Sequence, residues 1–258
     1  MHRRSVLKGV AMGLMSVCPV CAALTRAAAG EGHGPHWDYE GDAGPMLWGD
    51  LEPAFKACAL GTQQSPIDIG AAIPAELGSL DIAWKPIPLR IINNGHTIQV
   101  NCEPGSTAHI AGKSYALAQF HFHHPSEHLL VGNHFEMEAH FVHLSAEREI
   151  AVVGAFIRAG SENKALAPVF DAMPESAGPE QVVAGVVVTP EDVLPQDRTY
   201  FRYFGSLTTP PCSEGVLWTV LRDPIEASAE QIGRFATLFP MDARPTQSLN
   251  NRFVLQNI

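Results

Sequence analysis

The sequence contains no cluster of cysteines that could hold a metal. It has only five among 258 residues, and two of these, Cys18 and Cys21, lie close to the N-terminus. Structural zinc sites and iron–sulfur centres are built from grouped cysteine thiolates, so neither is indicated here. Any metal is expected to be bound through other side chains.

Basic residues are also scarce. The chain has 17 Lys and Arg against 27 Asp and Glu, a net charge of −10. Such an acidic surface disfavours binding to nucleic acid and to anionic membranes. The chain also lacks internal repeats, low-complexity tracts and linkers, and it is 46% hydrophobic. A single domain with an ordinary core is therefore expected.

Residues 1–29 are predicted to be an export signal. Arg3, Arg4 and Lys8 precede a charge-free run up to Thr25, and the small residues 27–29 offer a cleavage site. The paired arginines resemble a twin-arginine signal, with general secretory export as the alternative. We expect residues 30–258 to form the mature domain, located in the periplasm or secreted. No other segment is expected to span a membrane, and the domain is expected to be a monomer or a homodimer.

Three cysteines remain after removal of the signal. Cys102 is in phase with Ile98 and Val100 on a predicted strand, which indicates a buried apolar position. An exported protein in an oxidising compartment can form a disulfide. The pattern therefore favours a bridge between Cys58 and Cys212.

The remainder of the chain is predominantly β by pattern. An Asn-Gly turn signal divides the strand-like stretch 90–100, and residues 150–158 form an apolar run typical of a central strand. Helices are predicted at 163–173 and 226–238, the latter with Ser228 as a candidate cap, and residues 50–59 suggest a short helix. Further strands are predicted at 114–123, 134–144, 200–204 and 216–222. These elements indicate a mixed, β-dominated single domain with a few short helices.

Three histidines lie in strand-like segments. His121 and His123 are two residues apart, so they share one face of a strand, and His140 lies in another alternating run. If the two strands are neighbours, three imidazoles converge. Three protein ligands that leave one position open are typical of catalytic zinc. Neutral nitrogen ligands would also suit copper, iron or nickel.

Two polar residues precede the candidate ligands with the same spacing. Gln119 lies two residues before His121, and Glu138 lies two before His140, each on the face of its histidine. Such residues can accept the outer N–H of a ligand imidazole and fix its tautomer. We therefore expect Gln119 and Glu138 to orient the ligand imidazoles without contacting the metal.

Taken with three other segments, this stretch resembles the α-class carbonic anhydrases. The segments are 64–68 (Gln-Ser-Pro-Ile-Asp), 93–96 (Asn-Asn-Gly-His) and 206–212 (Ser-Leu-Thr-Thr-Pro-Pro-Cys). They occur in the family's order, and the resemblance covers nearly all of the mature chain. It implies a twisted, largely antiparallel central sheet with Zn²⁺ in a conical cleft.

The resemblance also assigns roles. It implies that His121, His123 and His140 bind zinc, that Thr208 orients zinc-bound hydroxide, and that Glu127 accepts the proton of Thr208. His96 would relay protons, and Cys58 and Cys212 match a disulfide of exported members. The residues implied to contact bicarbonate or carbon dioxide are Thr209, Val142, Val152, Leu207, Val216 and Trp218. The implied activity is reversible hydration of carbon dioxide to bicarbonate and a proton.

Two other classes are compatible with parts of the pattern. The spacing of His121, His123 and Glu127 also fits a cupin-like metal-binding protein or oxygenase, but no downstream segment of cupin type follows. A non-catalytic binding module with the anhydrase fold is the other alternative. Such modules typically lack ligand histidines, whereas all three are present here.

Overall fold

The computed structural model describes residues 36–258. The predicted export signal, with Cys18 and Cys21, lies outside the described residues. Among residues 36–258, no helix is both long and apolar enough to cross a membrane.

A large sheet dominates the described chain, with short helices at its periphery. The helices are α1 (Trp48–Leu51), α2 (Ala57–Leu60), α3 (Ala167–Asp171) and α4 (Ala229–Leu238), with 3-10 turns at Gly41–Ala43, Pro53–Phe55 and Pro190–Val193. The strands are β1 (Asp68–Ile69), β2 (Ile73–Ala75), β3 (Asp81–Ala83), β4 (Ile87–Asn93), β5 (Ile98–Asn101), β6 (Thr107–Ile110), β7 (Lys113–His123), β8 (Leu129–Leu130), β9 (Met137–Leu144), β10 (Ile150–Ala159), β11 (Gln181–Val188), β12 (Tyr200–Ser206), β13 (Glu214–Ala227) and β14 (Leu255–Asn257).

The main sheet has twelve strands, ten of them in the order β11-β4-β5-β7-β9-β10-β13-β12-β14-β2, with β3 and β6 attached beside β7. Within it, only β10–β13 and β14–β2 are parallel pairs. The predicted β-dominated, largely antiparallel fold is confirmed. The apolar run at 150–158 is β10, between β9 and β13, as expected for a central strand.

The two faces of the sheet have different roles. Because side chains alternate along a strand, β7 sends Phe120 and Phe122 into the main core and its histidines to the opposite face. Phe141 on β9 stacks on Phe120, with ring centroids 5.2 Å apart. The buried phenylalanines anchor the strands that carry the candidate metal ligands.

The helices are shorter than the sequence predicted. The segment 50–59 is divided by Pro53, since a proline cannot continue a helix from the preceding turn. The helix predicted at 163–173 is reduced to α3, because the Asn163 side chain accepts the backbone N–H groups of Ala165 and Leu166 and forms a turn. Helix α4 starts at Ala229 because Ser228 caps it, with Gln231 completing a capping box.

A disulfide joins Cys58 to Cys212, as the sequence predicted, and Cys102 is free. The bridge spans 154 residues of sequence. It ties α2 to the loop after β12, where Cys212 donates its backbone N–H to Thr209 O at 2.9 Å. The N-terminal segment is thereby fixed beside the loop that carries Thr208.

Replacing both Cys58 and Cys212 by serine is expected to lower the free energy of unfolding by about 4–5 kcal/mol, the chain-entropy value for a loop of this length. Urea unfolding under oxidising conditions measures the change. Cys102→Ala, which removes a thiol outside the bridge, is the control. An unfolding midpoint equal to that of the control would contradict a stabilising role for the bridge.

Candidate metal centre

His121, His123 and His140 meet on one face of the sheet. Strands β7 and β9 are antiparallel neighbours, and His121 is paired directly with His140. One nitrogen from each imidazole lies within 4.8 Å of the others. The structure thus brings together the three residues that the strand periodicity selected.

The outer nitrogen of each ring faces an oxygen. His121 Nδ1 lies 2.8 Å from Gln119 Oε1, and His123 Nδ1 lies 2.7 Å from the backbone oxygen of Asp242. His140 Nε2 lies 3.0 Å from Glu138 Oε1, at an angle poorer than that of a regular hydrogen bond. These contacts leave His121 Nε2, His123 Nε2 and His140 Nδ1 as the inward lone pairs.

Glu138 belongs to a buried network that extends beyond the metal ligands. Its carboxylate accepts the backbone N–H and the Nδ1 proton of His128, both at 2.8 Å. His128 Nε2 lies 2.6 Å from the Tyr203 hydroxyl, which contacts Ser65 Oγ at 2.8 Å. Burial alone raises the pKa of Glu138, but the imidazoles of His128 and His140 outweigh it and hold that pKa well below its usual value.

Space for the Glu138 carboxylate comes from a glycine. Gly154 on β10 is paired with His140, and a Cβ added there would lie 3.0 Å from Glu138 Oε1. A larger residue would therefore press on the carboxylate. Sequence reasoning assigned no role to His128. It missed the network of His128, Tyr203 and Ser65 because these residues come from separate segments.

Glu127 is fully buried beneath the three histidines. Its Oε1 accepts the backbone N–H of Arg244 at 2.8 Å. Its Oε2 lies 3.6 Å from His123 Nε2 and 3.8 Å from His140 Nδ1, and has no hydrogen-bond partner within residues 36–258. Thr208 lines a cleft beside the histidines, but the hydrogen bond expected between Thr208 and Glu127 is not formed in the described chain.

The buried atoms of this cluster are suited to a cation. His123 Nε2, like Glu127 Oε2, lacks a hydrogen-bond partner among the described residues. Burial, followed by repulsion from His123 and His140, holds the pKa of His121 well below its usual value, so its ring is neutral. The neutral ring of His121, the partnerless His123 Nε2 and the free carboxylate oxygen of Glu127 form an electron-rich pocket, and three nitrogen donors match zinc.

A cleft with a volume of about 340 Å³ opens above the histidines. Its polar lining residues are Gln119, His121, His140, Thr208, Thr209 and Ser213, and the rest of its lining is apolar. The apolar wall consists of Val142, Val152, Leu207, Trp218 and Ile150. Ile150 was not anticipated from the sequence, although it lies two residues before Val152 and hence on the same strand face. Val216 is not among the lining residues and is buried behind this wall, in one cluster with Val142 and Trp218.

His96 lies on the turn between β4 and β5. Its backbone N–H and that of Thr97 donate to Asn94 Oδ1, which defines the turn. The imidazole stacks on Trp37, with centroids 3.6 Å apart and ring planes 8° from parallel. Burial lowers the pKa of His96 to about 4, despite the opposing effect of Asp38. The ring is neutral at pH 7 in this position, and the stacking was not predictable from the sequence.

The fold and the cluster define a class: a β-sheet protein in which three imidazoles that could hold a metal ion meet beside a partly apolar cleft. Residues 43–258 match the family described as eukaryotic-type carbonic anhydrase. The chain belongs to the eukaryotic-type, or α, carbonic anhydrase family, and the family name denotes enzymes that act on carbon dioxide and bicarbonate.

Individual relatives agree with this assignment. A carbonic anhydrase of Nostoc sp. is 40% identical over 100% of this chain and 98% of its own length. An α-carbonic anhydrase from Thermovibrio ammonificans, solved with the inhibitor sulfanilamide, is 44% identical with a TM-score of 0.84, over 86% of this chain and 99% of that one. Dioscorin, solved with ascorbate, shares the fold at 32% identity and a TM-score of 0.80, over 86% of this chain and 97% of its own. The cupin interpretation is set aside by the family match.

Proposed function

We propose that this protein is an exported zinc enzyme that hydrates carbon dioxide reversibly, with His121, His123 and His140 as the zinc ligands. The observation that carries the proposal is the convergence of three inward imidazole nitrogens on a cleft with one apolar wall. Zinc in carbonic anhydrases, the reference case for this chemistry, supplies hydroxide at neutral pH by lowering the pKa of a water ligand.

The surrounding residues prepare the ligands for this task. Gln119, the Asp242 carbonyl and Glu138 face the outer nitrogens, which holds each ring with its lone pair inward. Because these acceptors are fixed before a metal arrives, the three rings need little rearrangement to bind it. Glu138 is in turn held by His128.

Glu127 and Thr208 would determine which group donates in the hydrogen bonds between the carboxylate, the threonine hydroxyl and a hydroxide in the cleft. An ionised carboxylate only accepts, so a Thr208 hydroxyl that donates to Glu127 Oε2 can accept from a hydroxide but cannot donate to it. The unpaired state of Glu127 Oε2 supports this role, since a buried acceptor without a donor is costly. Thr208 held in this way would act on such a hydroxide only as an acceptor, which would leave a lone pair of its oxygen free to face the substrate carbon.

The apolar wall suits carbon dioxide, which is uncharged and a poor hydrogen-bond acceptor. Val142, Val152, Leu207 and Trp218 offer contact without polar competition, and Val216 supports them from behind. The bicarbonate product is charged, and Thr209 in the cleft lining could supply a polar contact for it. The cleft would therefore offer an apolar surface to the substrate and a polar contact to the product.

His96 is the proposed proton relay, but not in its stacked position. A group with a pKa of about 4 is a poor proton acceptor at neutral pH. We infer that the ring accepts a proton after it leaves Trp37 and becomes hydrated, where the ordinary value near 6.5 applies. Export is supported by the disulfide, which is typical of oxidising compartments.

Trp37→Ala is expected to raise the pKa of His96 from about 4 towards the ordinary value, because the ring loses the partner that buries it. NMR titration of the imidazole proton signals measures this shift directly. Tyr39→Phe, a change in the neighbouring aromatic that does not stack on His96, is the control. A pKa that stays near 4 in Trp37→Ala would contradict stacking as the cause.

Stopped-flow measurement of carbon dioxide hydration by the purified protein tests the proposed function. We expect rapid hydration that sulfanilamide inhibits, as the inhibitor bound by the Thermovibrio relative suggests. A zinc-loaded protein without hydration activity would overturn the proposal. Ascorbate binding by such an inactive protein would favour a non-catalytic binding module, since dioscorin was solved with ascorbate.

A further inference from the structure

One arginine of the large sheet is buried without a counter-ion. Arg202 on β12 is only 8% exposed, and its Nε is buried with no hydrogen-bond partner among the described residues. Burial lowers the pKa of its guanidinium, and within residues 36–258 only the phenols of Tyr200 and Tyr115 oppose that effect. No carboxylate therefore acts on this cation, although a buried charge without an opposite charge is strongly destabilising.

The contacts that Arg202 does make do not replace a counter-ion. The guanidinium carbon lies 4.5 Å from the centroid of the Tyr200 ring, a cation–π contact. Nη2 lies 3.4 Å from Thr219 Oγ1, which is longer than a regular hydrogen bond. Burial raises the pKa of Tyr200 and of Tyr115, so both phenols are neutral at pH 7. The positive charge of Arg202 thus stays uncompensated by the described chain.

The groups at this position offer donors rather than acceptors. Nε and Nη2 of Arg202 lie on one edge of the planar guanidinium, and such an edge matches two oxygens of an oxyanion. The Thr219 hydroxyl borders the same edge and is fully buried. Its oxygen faces Arg202, and its proton is available to a further acceptor. A small anion at this edge could receive hydrogen bonds from both side chains.

This position is separate from the metal centre. On β13, Leu217 belongs to the main core, whereas Trp218 belongs to the apolar cluster on the cleft side. Because side chains alternate along a strand, Thr219 lies on the main-core face, and Arg202 is paired with it. Neither Arg202 nor Thr219 lines the cleft. The sheet therefore separates a ligand of Arg202 from the three histidines.

We propose that Arg202 and Thr219 form a second, non-catalytic site that binds a small oxyanion such as bicarbonate or inorganic phosphate. Both anions present two oxygens to one edge of a guanidinium, and both can also accept the Thr219 proton. The anion would supply the negative charge that the described chain does not supply. Because it would bind the folded chain only, it is expected to stabilise that state. The site does not depend on the proposed hydration activity.

Thermal unfolding of the zinc-loaded protein in HEPES buffer, with sodium phosphate or sodium bicarbonate added in steps, tests the proposal. The midpoint Tm should rise with anion concentration, by about 2–4 °C at about five times Kd. Sodium chloride at equal ionic strength corrects for the general effect of salt. Isothermal titration calorimetry with phosphate should show one site per chain that depends on Arg202.

Arg202→Met removes the guanidinium and keeps a long apolar stem. It should abolish the part of the Tm rise that chloride does not reproduce. Without oxyanion, its Tm should equal or exceed that of the wild type, because an apolar side chain replaces an uncompensated charge. Bicarbonate bound at the metal centre acts equally on both proteins, so their difference reports the second site alone. Arg198→Met is the matched control: Arg198 is a partly buried arginine that pairs with Glu191, and its loss should leave the rise unchanged.

Two further variants test the geometry of the site. Arg202→Lys keeps the positive charge but lacks the two-donor edge, and Thr219→Val removes the hydroxyl at nearly constant volume. Each should weaken phosphate binding by about threefold or more, the effect of one lost hydrogen bond. The Arg202→Lys result does not depend on whether Arg202→Met folds.

The responses to the two anions identify the source of the ligand. A rise with both anions would support a general oxyanion site, and a rise with bicarbonate alone would support a site for the reaction product. Equal rises in the wild type and Arg202→Met would overturn the proposal, as would a wild-type rise no larger than that with chloride. Wild-type affinity in Arg202→Lys would also overturn it. A lower Tm of Arg202→Met without oxyanion would show that the protein itself compensates the guanidinium, which again contradicts the proposal.

Discussion

Replacing His140 by alanine is expected to remove zinc binding and, with it, the hydration of carbon dioxide. His140 supplies one of only three inward nitrogens, and its Nδ1 is directed by the contact of Nε2 with Glu138. Loss of a group that hydrogen-bonds to a ligand imidazole typically weakens metal binding by about 10–100-fold. Loss of the ligand itself should weaken it further. Zinc content after dialysis and stopped-flow hydration are the two measurements.

His109→Ala is the matched control for that experiment. His109 is exposed on β6, away from the cluster, so zinc content and hydration should equal those of the wild type. Circular dichroism of both variants establishes that the sheet is intact. A His140→Ala protein with full hydration activity would show that the three-histidine centre does not carry the reaction.

The second large effect is expected for Glu127→Gln. Glutamine can still accept the backbone N–H of Arg244 through Oε1, so the local fold should be retained. The position of Oε2, however, becomes an NH₂ donor, and Thr208 then has no acceptor there. Loss of a preorganised hydrogen bond at a reacting oxygen typically lowers kcat by about 100-fold or more. Hydration assays at equal zinc content measure this loss.

Glu136→Gln is the corresponding control. Glu136 lies nine positions after Glu127, is exposed, and is not among the residues that line the cleft. It should retain full activity. If Glu127→Gln binds zinc and hydrates carbon dioxide at the wild-type rate, the assigned role of the Glu127–Thr208 pair is wrong. If zinc is lost as well, Glu127 acts mainly on metal affinity, which also contradicts the assigned role.

The ligand strand was predictable because its signal is local. Strand periodicity alone places His121 and His123 on one face, with Phe120 and Phe122 opposite. The same periodicity selected Gln119, which the structure places 2.8 Å from His121 Nδ1. That His140 would be paired with His121 did not follow from the pattern, because pairing of strands depends on the whole sheet.

The parts that escaped prediction depend on distant or backbone atoms. The oxygen that faces His123 Nδ1 belongs to the backbone of Asp242, 119 positions along the chain, and a backbone carbonyl has no sequence signature. The stacking of Trp37 on His96 likewise joins two remote segments. The predicted helix boundaries were wrong for local reasons. One example is the turn formed by the Asn163 side chain, which shortens the helix predicted at 163–173.

Zinc titration of the metal-free protein, with hydration as the readout, tests the central claim most directly. The account predicts that hydration rises in proportion to added zinc and levels off at one equivalent per chain. It also predicts that His140→Ala shows no such rise. Hydration that is complete without metal, or absent at saturating zinc, would contradict the claim that the three histidines form the catalytic metal centre.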